Sequence, residues 1–168
     1  MGQVSALLKP GTEEAMARYT STMHGERTQV EVFTRVADYA FNTFDMGSME
    51  LLSLRCGTLT MRRDVADIRT RPNGMSTFVH QVRGRSSFRH YGNQIELEEG
   101  DFSLCNNSTQ YDLRLFGPNE VILFRVPTTM VEDNIPSSHL LYGKRLARHE
   151  GLASMAGAMM RDLTVRAP

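Results

Sequence analysis

The sequence carries no excess charge of either sign. Its 19 Lys and Arg balance 19 Asp and Glu, which argues against a chain that grips nucleic acid by itself, because neutralising phosphates supplies most of that affinity. Long apolar runs are also missing. The longest aliphatic or aromatic stretch is Val121–Phe124, and the mixed run from Gly151 to Met160 is broken by Ser154. Neither approaches the roughly 20 residues that span a bilayer. The N-terminus has no basic flank before an apolar stretch, so it does not read as a secretory signal. Cysteine is scarce: Cys56 and Cys105 stand alone without paired spacing, which suits two reduced core thiols in the cytoplasm.

Recognisable catalytic signatures are absent as well. No Gly-x-Ser-x-Gly elbow or glycine-rich phosphate loop occurs. The five histidines are His24, His80, His90, His139 and His149, and no two stand two apart. A strand-borne His-x-His metal pair is therefore excluded, and no metal or other cofactor is expected. Asp64, Asp67 and Asp101, or Glu96, Glu98 and Glu99, offer paired carboxylates, but Glu96 and Glu98 fall on the solvent side of a strand and read as hydrated surface. Arg62, Arg63, Arg69 and Arg71 form a basic loop, either solvated or facing an anion or partner.

What the sequence does have is a change of rhythm. Phe33, Val36, Ala37, Ala40, Phe41 and Phe44 share one face at helical spacing, so residues 31–44 read as a helix after a polar arm. From about 49 to 127 the period becomes two. Leu59 and Met61, then Phe78, His80 and Val82, then Ile95 and Leu97, Leu113 and Leu115, and Ile122, Phe124 and Val126 alternate with their neighbours. Each run reads as a half-buried antiparallel strand. Gly92-Asn93, Gly100-Asp101 and Gly117-Pro118-Asn119 read as turns. The strand spacing points to a sandwich or small barrel.

After Pro127 helical spacing returns. Pro136-Ser137-Ser138 reads as the start of a helix running to about Ala147. A second helix places Leu152, Met155, Ala156, Met159 and Leu163 on one stripe, interrupted by Gly157. That stripe packs on its own barrel or on a second copy. A hollow barrel would hold one small ligand among inward side chains. The candidates are Phe78, His80, Val82, Phe88, His90, Tyr111 and Phe124, with His80, His90 and Tyr111 as the polar contacts; for the aromatics, plain core packing is the alternative.

Several segments in order carry a resemblance. They are Leu54–Leu59, Ile68-Arg69-Thr70, Tyr91-Gly92-Asn93-Gln94, Leu97–Phe102, Val121–Pro127, Leu141–Leu146 and Glu150–Ala153. Over about Phe33 to Leu163 the chain resembles the ligand-binding half of AraC/XylS-type transcriptional regulators with a cupin-like sensor. The resemblance implies a mostly-β fold, a cupin-like small barrel or jelly roll followed by a C-terminal helical pair. It implies residues 1–45 as arm and helix, 46–128 as effector-binding barrel, and 129–168 as dimerisation and linker region. It further implies a small organic effector, aromatic or carboxylate-bearing, and a homodimer formed through the stripe Leu152, Met155, Ala156, Met159 and Leu163. DNA would be contacted only through a following helix-turn-helix domain not contained in these residues. A membrane partner and catalytic residues are not expected. The rival readings are a small metal-dependent cupin enzyme and a stand-alone interaction module.

Overall fold

The computed structural model describes residues 29–32, 40–149 and 151–166. The arm expected over residues 1–28 lies outside them. Eight antiparallel strands form one sheet folded on itself into two leaves. They are β1 (Gln29–Val32), β2 (Ala40–Asp45), β3 (Glu50–Cys56), β4 (Leu59–Arg63), β5 (Met75–His90), β6 (Asn93–Leu97), β7 (Phe102–Asn106) and β8 (Tyr111–Pro127). Helix α1 (Val65–Thr70) follows β4, α2 (Thr128–Asn134) follows β8, a single 3₁₀ turn spans Ser138–Leu140, and α3 (Gly151–Arg166) ends the described chain.

The two longest strands, β5 and β8, pair along almost their whole length and pass from one leaf to the other. Their far halves join β2, β3 and β7; their near halves join β1, β4 and β6. The crossing is irregular. Register slips between Gln81 and Arg85, where Gly84 has φ +81° and packs directly on the Pro118 carbonyl. Such bulges bend a strand and increase its twist. The polar groups exposed by the slip are satisfied internally. Gln81 Nε2 donates to Asn119 Oδ1 and to the Arg83 carbonyl, both at 2.7 Å. Ser86 Oγ donates to Gln81 Oε1, and Asn119 Nδ2 to the Arg85 carbonyl, also at 2.7 Å.

Between the leaves lies a core from Leu52, Leu54, Leu59, Met61, Val79, Phe88, Leu97, Leu113, Leu115, Val121 and Leu123. A second cluster covers the outer face of the far leaf, where Leu51, Phe102 and Ile122 meet Ala153 and Met160 of α3. The sheet thus has two buried faces on one leaf and one on the other, a cupin-like jelly roll with its C-terminal helix packed outside.

Four expectations are corrected. The helix over 31–44 is strand wherever it is described: β1 reaches Val32, and Ala40–Asp45 pairs with Glu50–Arg55. Aromatic residues at helical spacing also suit a strand, and the turn tied by Gly47 N–H to Asp45 Oδ1 (2.9 Å) fixes that pairing. The helix from Ser138 to Ala147 is only the 3₁₀ turn. Residues 141–148 instead run as an extended strap, with Leu146 bridging Phe102 and Tyr142 bridging Leu104. Gly117-Pro118-Asn119 is not a hairpin turn, because β8 continues through it. The β5–β6 hairpin turn is Tyr91-Gly92, one residue earlier than expected.

Candidate functional site

The bulge at Gly84 decides which side chains face inward. On the far half of β5, Thr77, Val79 and Gln81 point between the leaves. On the near half, Phe88 does, with the phase reversed. The seven expected ligand residues are consequently divided. Phe78, Val82 and Phe124 are half-buried on the outer face under α3. His80 is buried there, stacked on Phe102 at 4.1 Å. These four do not face the barrel interior that holds Phe88. A simple two-residue alternation carried across the bulge placed them all inside.

Phe88, His90 and Tyr111 come together at one end of the barrel. Phe88 and His90 have ring centroids 5.4 Å apart, and His90 is the register partner of Tyr111. Inside the barrel, Phe88 and Tyr111 line a void of about 30 Å³ with Met61, Thr77 and Val79. That is room for a water, not an organic ligand; among the described residues, side chains pack the rest of the interior that was expected to be hollow. A larger recess of about 740 Å³ opens at the barrel end, bordered by Arg62, Arg89, His90, Tyr91, Asn93 and Tyr111.

His90 is fixed as a neutral ring. The Asn106 backbone N–H donates to its Nε2 at 2.9 Å, so the proton resides on Nδ1 and is directed to the Gln110 carbonyl at 2.8 Å. Burial holds its pKa below the usual value, against the smaller opposing effect of the Gln110 bond. With both nitrogens engaged, His90 shapes the recess rather than offering it a free proton. Around the rim, Arg62 is committed to Asp112, with Nη2 and Nε at 3.0 and 3.2 Å. Arg89 is the register partner of Asp112 and is exposed, without a partner among the described residues. An organic anion would find its guanidinium open.

Tyr91 on the recess wall and Tyr142 behind it are residues that the periodicity did not single out. Tyr91 sits at a turn position with φ +51°. It stacks on Tyr142 at 5.3 Å and 18°, and meets His90 edge-on at 4.7 Å. The Tyr91-Gly92 sequence was a visible turn signal; the tyrosine from the strap, fifty-odd residues on, was not. The expected basic loop is the end of β4, which carries Arg62 and Arg63, and helix α1, which holds Arg69 and is capped at its C-terminus by Arg71. Asp64 and Asp67 form its capping box, and Arg63 is fully buried, donating from Nε to the Asn107 carbonyl at 3.0 Å. Asp101 is equally buried and serves the strap, with one oxygen 2.7 Å from Arg145 Nε. Among the described residues, no three His, Cys, Asp or Glu side chains form a group able to hold a metal. No helix among them is long and apolar enough to cross a membrane.

The expected dimer stripe is divided too. Ala156 and Leu163 are half-buried against the barrel, whereas Met155 and Met159 are 72 % and 58 % exposed. The Leu152 side chain lies outside the described residues.

Fold and covered face define a cupin-like domain. The chain belongs to the family of AraC-binding-like domains, whose model matches residues 28–167. The crystal structure of the AraC-like transcriptional activator CuxR superposes with a TM-score of 0.71 at 14 % identity, over 88 % of this chain and 55 % of that one. The chain therefore spans about half the length of that regulator. A cupin superfamily protein from Desulfitobacterium hafniense DCB-2 matches at 7 % identity and TM-score 0.45, over 73 % of this chain and 98 % of that one. An RmlC-like cupin from Desulfovibrio desulfuricans matches at 13 % identity and TM-score 0.42, over 53 % and 82 %. No protein of curated function matches in sequence.

Proposed function

We propose that this chain is the effector-sensing and dimerisation domain of a ligand-responsive, cytoplasmic transcription regulator. In this reading residues 46–128 bind effector, residues 129–168 link and dimerise, and a separate helix-turn-helix domain reads DNA. The neutral charge of the chain fits that division of labour. The effector is a small organic molecule bearing an aromatic ring or a carboxylate.

The observation carrying this reading is the recess of about 740 Å³, with two tyrosines for a planar group and the open guanidinium of Arg89 for an anion. Phe88, His90 and Tyr111 support its floor; Phe78, His80, Val82 and Phe124 act from behind, through the helix they carry. The second copy docks on the exposed methionine edge of α3. A thermal-shift screen of aromatic and aliphatic carboxylates tests the effector site. Hits that raise Tm should weaken at least tenfold in Arg89→Ala or Tyr111→Ala, by calorimetry. Hits indifferent to both substitutions would place the effector elsewhere.

A further inference from the structure

The β5–β6 turn belongs to two structures at once. On one side Tyr91, Gly92 and Asn93 wall the recess. On the other they hold the strap of residues 141–148, which leads into α3. Tyr91 stacks on Tyr142. Asn93 reaches the strap twice, through Nδ2 to the Tyr142 carbonyl at 3.5 Å and by accepting from Lys144 Nζ at 3.0 Å. Gly143, at φ +70°, lies so close to the His90 carbonyl that a Cβ there would collide with it.

We propose that Tyr91 is a positioning residue that passes occupancy of the recess to the C-terminal helix through its stack on Tyr142. A tyrosine is a poor choice for a turn that demands positive φ at both central residues; Asn or Gly serves it better. Left-handed backbone brings a Cβ too close to the carbonyl oxygen that follows, a crowding that glycine escapes. At Tyr91 that cost is offset by what its side chain touches: the Tyr142 ring, the His90 edge, and Asn106, whose Nδ2 donates to the hydroxyl at 3.3 Å. A strained residue held by the element it touches is suited to a two-position switch.

From Tyr142 the connection runs on along the strap as far as Arg148. Its hydroxyl meets Ser76 Oγ at 3.0 Å. Gly143 N–H donates to the Leu104 carbonyl, and Leu146 and Phe102 exchange two backbone bonds, all at 2.9 Å. Asp101 then receives Arg145 Nε at 2.7 Å and the Arg148 N–H at 3.1 Å. Three residues later α3 begins. A molecule pressing on Tyr91 or Asn93 displaces Tyr142 with them. It shifts the strap only as far as it binds the two positions differently. The regulatory meaning rests on the recess being the effector site; the latch itself does not.

Hydrogen exchange on the whole chain tests this. Tyr91→Gly keeps the turn, since glycine is at ease at this φ, but removes the stack. It should speed exchange of the Phe102, Gly143 and Leu146 amides at least tenfold, with β3 and β8 amides unchanged. Tyr91→Phe keeps the ring and should match wild type. For occupancy, Gln94→Cys on the recess rim is labelled with fluorescein maleimide; Cys56 and Cys105 are buried. The label should change strap exchange at least threefold in the Tyr91 protein and not in Tyr91→Gly. Unchanged strap amides in Tyr91→Gly, or equal acceleration throughout the core, would overturn the latch. A latch that responds in Tyr91→Gly but ignores the label would overturn its coupling to the recess. Failure of the effector reading alone would appear separately, as a wild-type recess that binds no screened molecule while the label still moves the strap.

Discussion

His80 and Arg161 meet with Nε2 and Nη1 3.2 Å apart, on the face of the sheet that α3 covers. A guanidinium can only donate, so His80 accepts on Nε2 and carries its proton on Nδ1, toward the Asp101 carbonyl at 3.3 Å. The helix reaches this ring because residue 157 has no side chain: a Cβ at Gly157 would lie 3.1 Å from the imidazole. The glycine that weakens α3 as a helix is what lets it dock.

That contact makes stability depend on pH. Burial, reinforced by Arg161 and opposed by Asp101, lowers the His80 pKa from 6.5 to about 4. Between those values the unfolded chain binds the proton and the folded one does not. The contribution is therefore complete above pH 6.5 and is lost as pH falls toward 4, by up to roughly 3 kcal/mol. His80→Gln, whose amide can still accept from Arg161, should flatten this loss, leaving the contribution of His90, which runs in the same direction. Urea denaturation at pH 7 and pH 4.5 checks it; equal losses in variant and wild type would contradict the assignment.

The junction between barrel and strap depends on Asp101. Its buried carboxylate accepts the Glu98 N–H at 2.9 Å and the Arg148 N–H at 3.1 Å, beside Arg145 Nε. Asp101→Ala leaves two backbone donors and a cation without their acceptor. It should cost about 3 kcal/mol by denaturant unfolding. A loss below about 1 kcal/mol would mean that water replaces the carboxylate readily.

Neighbouring methionines of α3 should behave oppositely. Met159 is 58 % exposed and Met160 only 4 %. Met160→Ala opens the packing against Leu51, Phe102 and Ile122 and should cost about 3 kcal/mol. Met159→Asp should change the fold's stability by no more than about 0.5 kcal/mol, yet halve the mass seen by light scattering if two copies meet on that edge. A mass unchanged by Met159→Asp would remove this face from the dimer.

The strands were legible because alternation survives wherever one leaf faces the core, as at Leu59 and Met61 or Leu113 and Leu115. The C-terminal helix was legible for the same reason at its own period. What periodicity could not show was the phase. Gly84 and Gly117 look like ordinary turn residues in sequence, but here they bend two long strands across both leaves. His80 and Phe88 thus share a parity and lie on opposite faces. The strap was illegible for another reason: residues 141–148 are held by Asp101, Asn93 and Tyr91, partners distant in sequence, not by any local pattern.

The bulge can be tested by a pair of glycines. Gly84 and Gly92 both have positive φ, +81° and +74°, but their surroundings differ. A Cβ at Gly92 meets nothing within 4 Å, so Gly92→Ala pays the backbone penalty alone, about 1 kcal/mol. A Cβ at Gly84 would lie 2.6 Å from the Pro118 carbonyl oxygen and 3.0 Å from Asn119 Nδ2. Neither can retreat easily: the carbonyl is backbone of the paired strand, and Asn119 is tied to Gln81 and Arg85. Gly84→Ala should therefore cost at least about 2 kcal/mol more than Gly92→Ala in chemical denaturation. Equal costs would show that the two strands do not need to approach so closely at the crossing, and the inversion of inward and outward residues along β5 would then need another cause.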